Sequence, residues 1–255
     1  MWKRPPPALT MGQKVSQEDN QEAKAETLLI CEVFSQGMLH ASQRLKDYLG
    51  FVDPQSKFQP ATNTLSEILL VNFISFCVEK GAQELIVTSK MTRQQSCLFG
   101  VDWLWTLSGA DKQIKLQIAV QALQLAELFH RDGGPTGEEE DEEDEDWCRE
   151  AVLADECFQN RSRFGKLAEF CRLVGRDCLG LVVVFGVPGK PKDIRGVLLD
   201  SLAREGQKRR LSGRRALLQF VTSTDSALAT KDMLHNCLGT SRGLRELGNV
   251  YINFV

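Results

Sequence analysis

The stretch from Cys178 to Asp200 limits what this chain can fold into more than any other. Leu181 to Phe185 is an unbroken apolar run, rich in β-branched residues and bounded by Gly180 and Gly186. It is too short for an isolated helix and has the composition of a strand covered on both faces. Val187-Pro188-Gly189 follows as a turn, with proline presetting φ and glycine accepting a positive one. Ile194 to Leu199 reads as a second strand, and the connection is too short for a helical crossover, so the two pair antiparallel. Gly186 to Lys190 invites a phosphate-loop reading and fails it. Position 184 is Val where that motif needs Gly, Pro191 replaces the magnesium-binding hydroxyl, and a strand follows where a helix is required.

Around this hairpin the rest of the chain reads mostly as helix. Leu28, Phe34, Met38, Leu45 and Leu49 predict a helix from about Gln21 to Leu49, ended by Gly50 and Pro54, with Gly37 a weak spot. Thr64-x-x-Glu67 reads as a capping box ahead of an apolar helix from Ile68 to Val78, expected to be buried on most sides. Thr92-x-x-Gln95 starts a third helix through Phe99, Trp103, Trp105 and Leu107. A fourth, capped by Asp111, runs to about His130 with two apolar stripes. Ile114, Ile118, Ala122, Leu125 and Phe129 form one; Leu116, Val120 and Leu123 form the other, which is either sandwiched in the core or open to a partner. Beyond an acidic stretch, Phe164, Leu167, Phe170, Cys171 and Val174 mark another helix, stopped by Gly175. After the hairpin come a basic loop at 201–215, a strand at Leu217 to Thr222, a helix capped by Asp225, a turn of helix at Leu244 to Leu247, and a closing strand at Val250 to Val255.

Helices first and a mixed half after them predict an α+β fold: a helical N-terminal half packed with a small, mainly antiparallel sheet in the C-terminal half. Residues 1–20 read as disordered and 21–131 as the helical part of a single domain. Residues 132–150 read as an acidic linker, and 151–255 as the α/β part of the same domain.

Charge is unevenly placed. The formal net charge is −3, but residues 138–146 are nine consecutive acids, and the remainder of the chain carries +6. Much of the basic excess falls in the stretch 204–215, where Lys208-Arg209-Arg210-Leu211-Ser212-Gly213-Arg214-Arg215 allows three readings. It is a solvated loop, a basophilic phosphorylation site at Ser212, or a patch for nucleic acid or an acidic membrane. The interleaved aromatics of a nucleic-acid surface are missing from it. The eight cysteines include no Cys-x-x-Cys pair and no zinc spacing, which fits a cytoplasmic protein with reduced thiols. No serine elbow, metal helix motif or dinucleotide glycine pattern is present, so no catalytic residue, metal or cofactor is expected. Met11-Gly12-Gln13-Lys14-Val15-Ser16 matches the myristoylation pattern, which would place a lipid on Gly12 if translation starts at Met11.

Several long words carry a resemblance. Met11-Gly-Gln-Lys, Lys46-Asp-Tyr-Leu-Gly-Phe, Phe99-Gly-Val-Asp-Trp-Leu-Trp-Thr, Asp111-Lys-Gln-Ile-Lys-Leu-Gln and Phe185 through Asp200 resemble the family of Rab-fifteen effectors. The resemblance implies an adaptor and not an enzyme. Its implied partners are a GTP-bound Rab GTPase and, peripherally, the membrane of early and recycling endosomes, where the family regulates return of receptors such as the transferrin receptor. An effector of this kind needs a rigid apolar surface. The sequence offers Trp103, Trp105, Leu116, Val120 and Leu123 as contact candidates, with both tryptophans equally readable as core.

Overall fold

The computed structural model describes residues 11–55, 57–129, 162–211, 213–239 and 249–254. Among them it contains α1 (Met11–Leu45), α2 (Thr62–Glu79), β1 (Ile86–Lys90), α3 (Arg93–Phe99), β2 (Trp103–Ser108), β3 (Ile114–Gln124) and α4 (Leu125–Phe129). After the undescribed segment come α5 (Arg163–Val174), β4 (Cys178–Val187), β5 (Lys190–Leu198), α6 (Leu199–Arg209), α7 (Gly213–Ser223), β6 (Ala227–Ala229), α8 (Thr230–Gly239) and β7 (Tyr251–Asn253). The fold is α+β. Its seven strands form one sheet in the order β1-β2-β3-β4-β5-β7-β6. The pairings are antiparallel except for β3 with β4 and β6 with β7.

Helices cover both faces. α1, α2 and α8 pack on one face, where Trp103, Trp105, Ile118, Val120, Leu181 and Val183 point. α4, α5, α6 and α7 pack on the other, over Ala119, Leu123, Val182, Val184 and Val197. The centre of the first layer is an aromatic stack. Trp105 lies 5.1 Å from Phe34 of α1, 5.2 Å from Phe73 of α2 and 5.5 Å from Trp103, centroid to centroid. Gly37, weak as a helix former, is where α1 and α2 meet. A β-carbon there would stand 3.1 Å from the Phe73 ring and 3.2 Å from Phe76, so glycine permits the close approach.

The hairpin at Cys178–Leu198 is antiparallel as expected, with Phe185 opposite Ile194. The Thr92 capping box also forms, the Gln95 N–H donating to the Thr92 hydroxyl at 3.2 Å and the Thr92 N–H to the Gln95 side chain at 2.9 Å. Other expectations need correction. The third helix ends at Phe99, and Trp103 and Trp105 lie on β2. The fourth helix is the strand β3 followed by one turn, α4. Its residues from Leu116 to Leu123 are nearly all buried because both faces are covered, and a strand of that kind shows no alternation to distinguish it from a two-striped helix. The basic loop at 201–215 is the helix α6 and the start of α7, and the strand expected at 217–222 is the body of α7. There Ala216, Leu217, Phe220 and Val221 are buried at helical spacing.

The stretch after Asp225 is β6 and then α8, and the closing strand is β7. Strand β1 had no clear signature. α2 starts at Thr62 without a side-chain cap, so the Thr64 capping box does not form, and Val71, Ile74 and Val78 on its outer side are exposed. α1 starts at Met11, inside the stretch read as disordered. The acidic run and the helical turn at Leu244 to Leu247 lie outside the described residues.

Candidate functional site

α1 stops at Leu45, and the chain turns through Gly50, whose φ of +71° suits glycine, into a loop that reaches α2. This loop displays apolar side chains instead of burying them. Tyr48 is 50%, Phe51 49%, Phe58 64% and Val52 79% exposed. The loop is nevertheless fixed. The Asp53 carboxylate accepts hydrogen bonds from the backbone N–H groups of Gln55 at 3.1 Å, Lys57 at 2.8 Å and Phe58 at 3.0 Å. These bonds, led by those from Gln55 and Lys57, hold its carboxyl below the usual aspartate range. The clamp sets Phe51 against Phe58 edge to face, with centroids 6.1 Å apart. At the far end Gln124 donates to the Pro60 carbonyl at 3.0 Å and to the Thr62 hydroxyl at 3.2 Å, and Thr62 donates to the Glu127 carboxylate.

Opposite the loop stands the tip of the β4–β5 hairpin. A β-carbon on Gly50 would touch Pro191 at 3.3 Å, so the two segments are in direct contact. Between them, floored by Leu49, Leu65 and Leu125, lies a cleft of about 340 Å³. Among the described residues its lining is apolar and amide: Tyr48 is the sole ionisable side chain there, and no histidine, cysteine, lysine, arginine or carboxylate faces it. Such a lining can hold a nonpolar partner but offers no base or nucleophile at neutral pH. Lys57, Lys190 and Lys192 stand exposed on the same two segments, which also carry Asp47, Asp53 and Asp193.

The contact candidates read from sequence are elsewhere. Trp103, Trp105, Leu116, Val120 and Leu123 are 1%, 0%, 5%, 0% and 6% exposed, so all five are core side chains. Leu116 and Val120 point to the layer of α1 and α2, and Leu123 to the opposite layer, so they do not form one stripe. Gly12 falls in the first turn of α1. Ser212 lies outside the described residues, between α6 and α7, where Lys208, Arg210 and Arg215 are exposed. Gly186 to Lys190 is the hairpin tip. Among the described residues, no three His, Cys, Asp or Glu side chains are grouped to hold a metal, and no helix is long and apolar enough to cross a membrane.

The cleft aromatics were missed because an apolar residue in a loop carries no periodicity. The signal that could have found them is local: Phe51 and Val52 lie between the breakers Gly50 and Pro54, where no helix or strand can carry them into a core.

The Rab15 effector family model matches residues 15–254 of this chain. The chain belongs to the Rab15 effector family. It is 45% identical over 245 residues to the mouse (Mus musculus) Rab15 effector protein, covering 96% of this chain and 100% of that one. The family match extends from α1 to β7, so both walls of the cleft lie inside it.

Proposed function

We propose that this protein is a non-enzymatic effector that binds Rab15 in its GTP-loaded form through the cleft between the α1–α2 loop and the β4–β5 hairpin. The observation that carries this reading is the exposed aromatic group Tyr48, Phe51 and Phe58, held rigid beside an apolar cleft in a member of the Rab15 effector family. Aromatic side chains dominate the energetics of protein interfaces, and a preordered surface loses little entropy on docking. A small GTPase orders its two switch segments only while the γ-phosphate is present. A rigid apolar face therefore meets a complementary, ordered surface on the active form and a disordered one on the inactive form.

The protein then acts as a peripheral component of recycling endosomes, regulating the return of receptors such as the transferrin receptor. A myristoyl group on Gly12, exposed as the amino terminus when Met11 is the initiator, supplies a weak anchor, and the GTPase supplies the second. The test is a binding comparison between Rab15 loaded with a non-hydrolysable GTP analogue and Rab15 loaded with GDP. At least tenfold tighter binding to the first is expected; equal affinity for the two forms overturns the proposal.

A further inference from the structure

A second site lies at the junction of α5 and β4, away from the cleft and unused by it. Cys171 sits in the last turn of α5, and Cys178 is the first residue of β4. Strand alternation puts Cys178 on the same sheet face as Gly180 and Val182, the face covered by α5. Gly180 decides what fits there. A β-carbon built on it would stand 3.3 Å from the Cys171 sulfur and 2.9 Å from Leu199, so the missing side chain is what lets the Cys171 thiol settle onto this end of the strand. The backbone draws the two residues together: the Gly175 N–H donates to the Cys171 carbonyl at 3.0 Å, the Cys178 N–H donates to the Gly175 carbonyl at 3.1 Å, and both side chains pack on the same apolar layer.

This arrangement separates the pair from the other described cysteines. The neighbouring Cys171 side chain holds the Cys178 thiol below the ordinary cysteine range, whereas Cys171 is pushed up by Cys178 and by burial. Cys31 and Cys77 are buried, and burial pushes both to about 11. Burial pushes Cys237 to about 12. Cys171 and Cys178 are only partly buried, so small solutes can reach them.

We propose that Cys171 and Cys178 form a reversible dithiol–disulfide site that a peroxide closes and a dithiol reductant reopens. The Cys178 thiolate attacks one peroxide oxygen, breaks the O–O bond and becomes a sulfenic acid; the departing hydroxide takes up the proton that Cys178 lost and leaves as water. The Cys171 sulfur then attacks the sulfenic sulfur. An S–S bond forms, the S–O bond breaks, and the hydroxyl leaves as a second water with the Cys171 proton. Two thiols are oxidised, one peroxide is reduced, and the α5–β4 turn is closed into a covalent ring.

The experiment needs no GTPase, so its outcome is independent of the reading of the cleft. The reduced full-length protein is treated with a small excess of hydrogen peroxide, alkylated and digested with trypsin without reduction. The expected product is one cross-linked species joining Leu167–Arg172 to Asp177–Lys192, about 2 Da below the summed peptides and split by dithiothreitol. In a Cys171→Ser variant with unchanged circular dichroism, Cys178 is expected to accumulate as a sulfenic acid captured by dimedone. The proposal is overturned if the wild-type protein oxidises first at exposed Cys97 with no 171–178 link. Failure of dimedone to label Cys178 in the folded variant overturns it as well.

Discussion

Replacing Phe51 and Phe58 together with alanine tests whether the displayed aromatics, and not the buried tryptophans, contact the GTPase. Phe51 is 49% and Phe58 64% exposed. Taking a phenylalanine side chain as about 200 Å² leaves roughly 100 Å² on Phe51 and roughly 130 Å² on Phe58 to be buried by a partner. At about 25 cal/mol per Å² this is at most about 2.5 and about 3 kcal/mol. Ordering a side chain at an interface costs about 0.5–1.5 kcal/mol each, less here because the Asp53 clamp and the edge-to-face pair already order both rings. Neighbouring truncations are not additive. The double variant is therefore expected to lose about 3 kcal/mol of binding, roughly 100-fold in Kd. Its stability loses only the ring pair, about 0.5–1.5 kcal/mol, and a few degrees of Tm. Isothermal titration against the GTP-loaded Rab, with a thermal melt of the variant, reads both quantities. Affinity within threefold of wild type in a folded double variant would refute the assignment of the cleft.

Three further outcomes follow from the packing and the loop. Trp105→Ala empties the centre of the stack on Phe34, Phe73 and Trp103 and is expected to cost about 3–5 kcal/mol, lowering Tm by about 10 °C; a shift under 3 °C in calorimetry contradicts its place in the core. Gly100 and Gly81 share a φ of +67°, but a β-carbon on Gly100 would overlap the Arg163 carbonyl oxygen, while nothing lies within 4 Å of one on Gly81. Ala at 81 should thus cost only the left-handed penalty of about 1–2 kcal/mol, and Ala at 100 a further 1–3 kcal/mol or so; equal losses in urea denaturation would remove the steric argument. Asp53 has a folded-state pKa below its unfolded value, so its contribution is fully present above the unfolded pKa, about 3.9, and is lost as pH falls through the folded one. The amide resonances of Gln55, Lys57 and Phe58 should hold still down to about pH 4 and move together below it; a shared midpoint at or above 3.9 sinks this account of the clamp.

How much of this was legible in the sequence depended on what each residue's environment imprinted. The β4–β5 hairpin was legible because Gly186, Pro188 and Gly189 punctuate it and its strands are β-branched. α1 was legible because Phe34, Met38 and Leu45 face one layer at helical spacing, although Leu28, counted with them, is exposed and Leu49 lies past the end of the helix. β3 was not, because helices on both sheet faces make every position from Leu116 to Leu123 buried or nearly so, which removes the alternation that marks a strand. α7 was misread for a related reason: Leu217, Leu218, Phe220 and Val221 are crowded enough to pass for a short strand. Family membership was readable from long words alone, since such words need no secondary-structure assignment. The proposed contact surface was not, because the largest aromatics, Trp103 and Trp105, stand out in the sequence and fill the core.

That last error has a physical basis which also supports the cleft. A tryptophan gives the most apolar area to whatever it packs against, so a layer between two helices and a sheet draws Trp103 and Trp105 inward, where they touch Phe34 and Phe73. An aromatic that stays outside despite the same tendency is held out by the backbone. Here the restraint is visible: Gly50 turns the chain, Asp53 accepts hydrogen bonds from three backbone N–H groups, and Gln124 fastens the end of the loop. A loop built to keep apolar rings in water gains nothing from them in the isolated chain; the gain comes when a partner covers them.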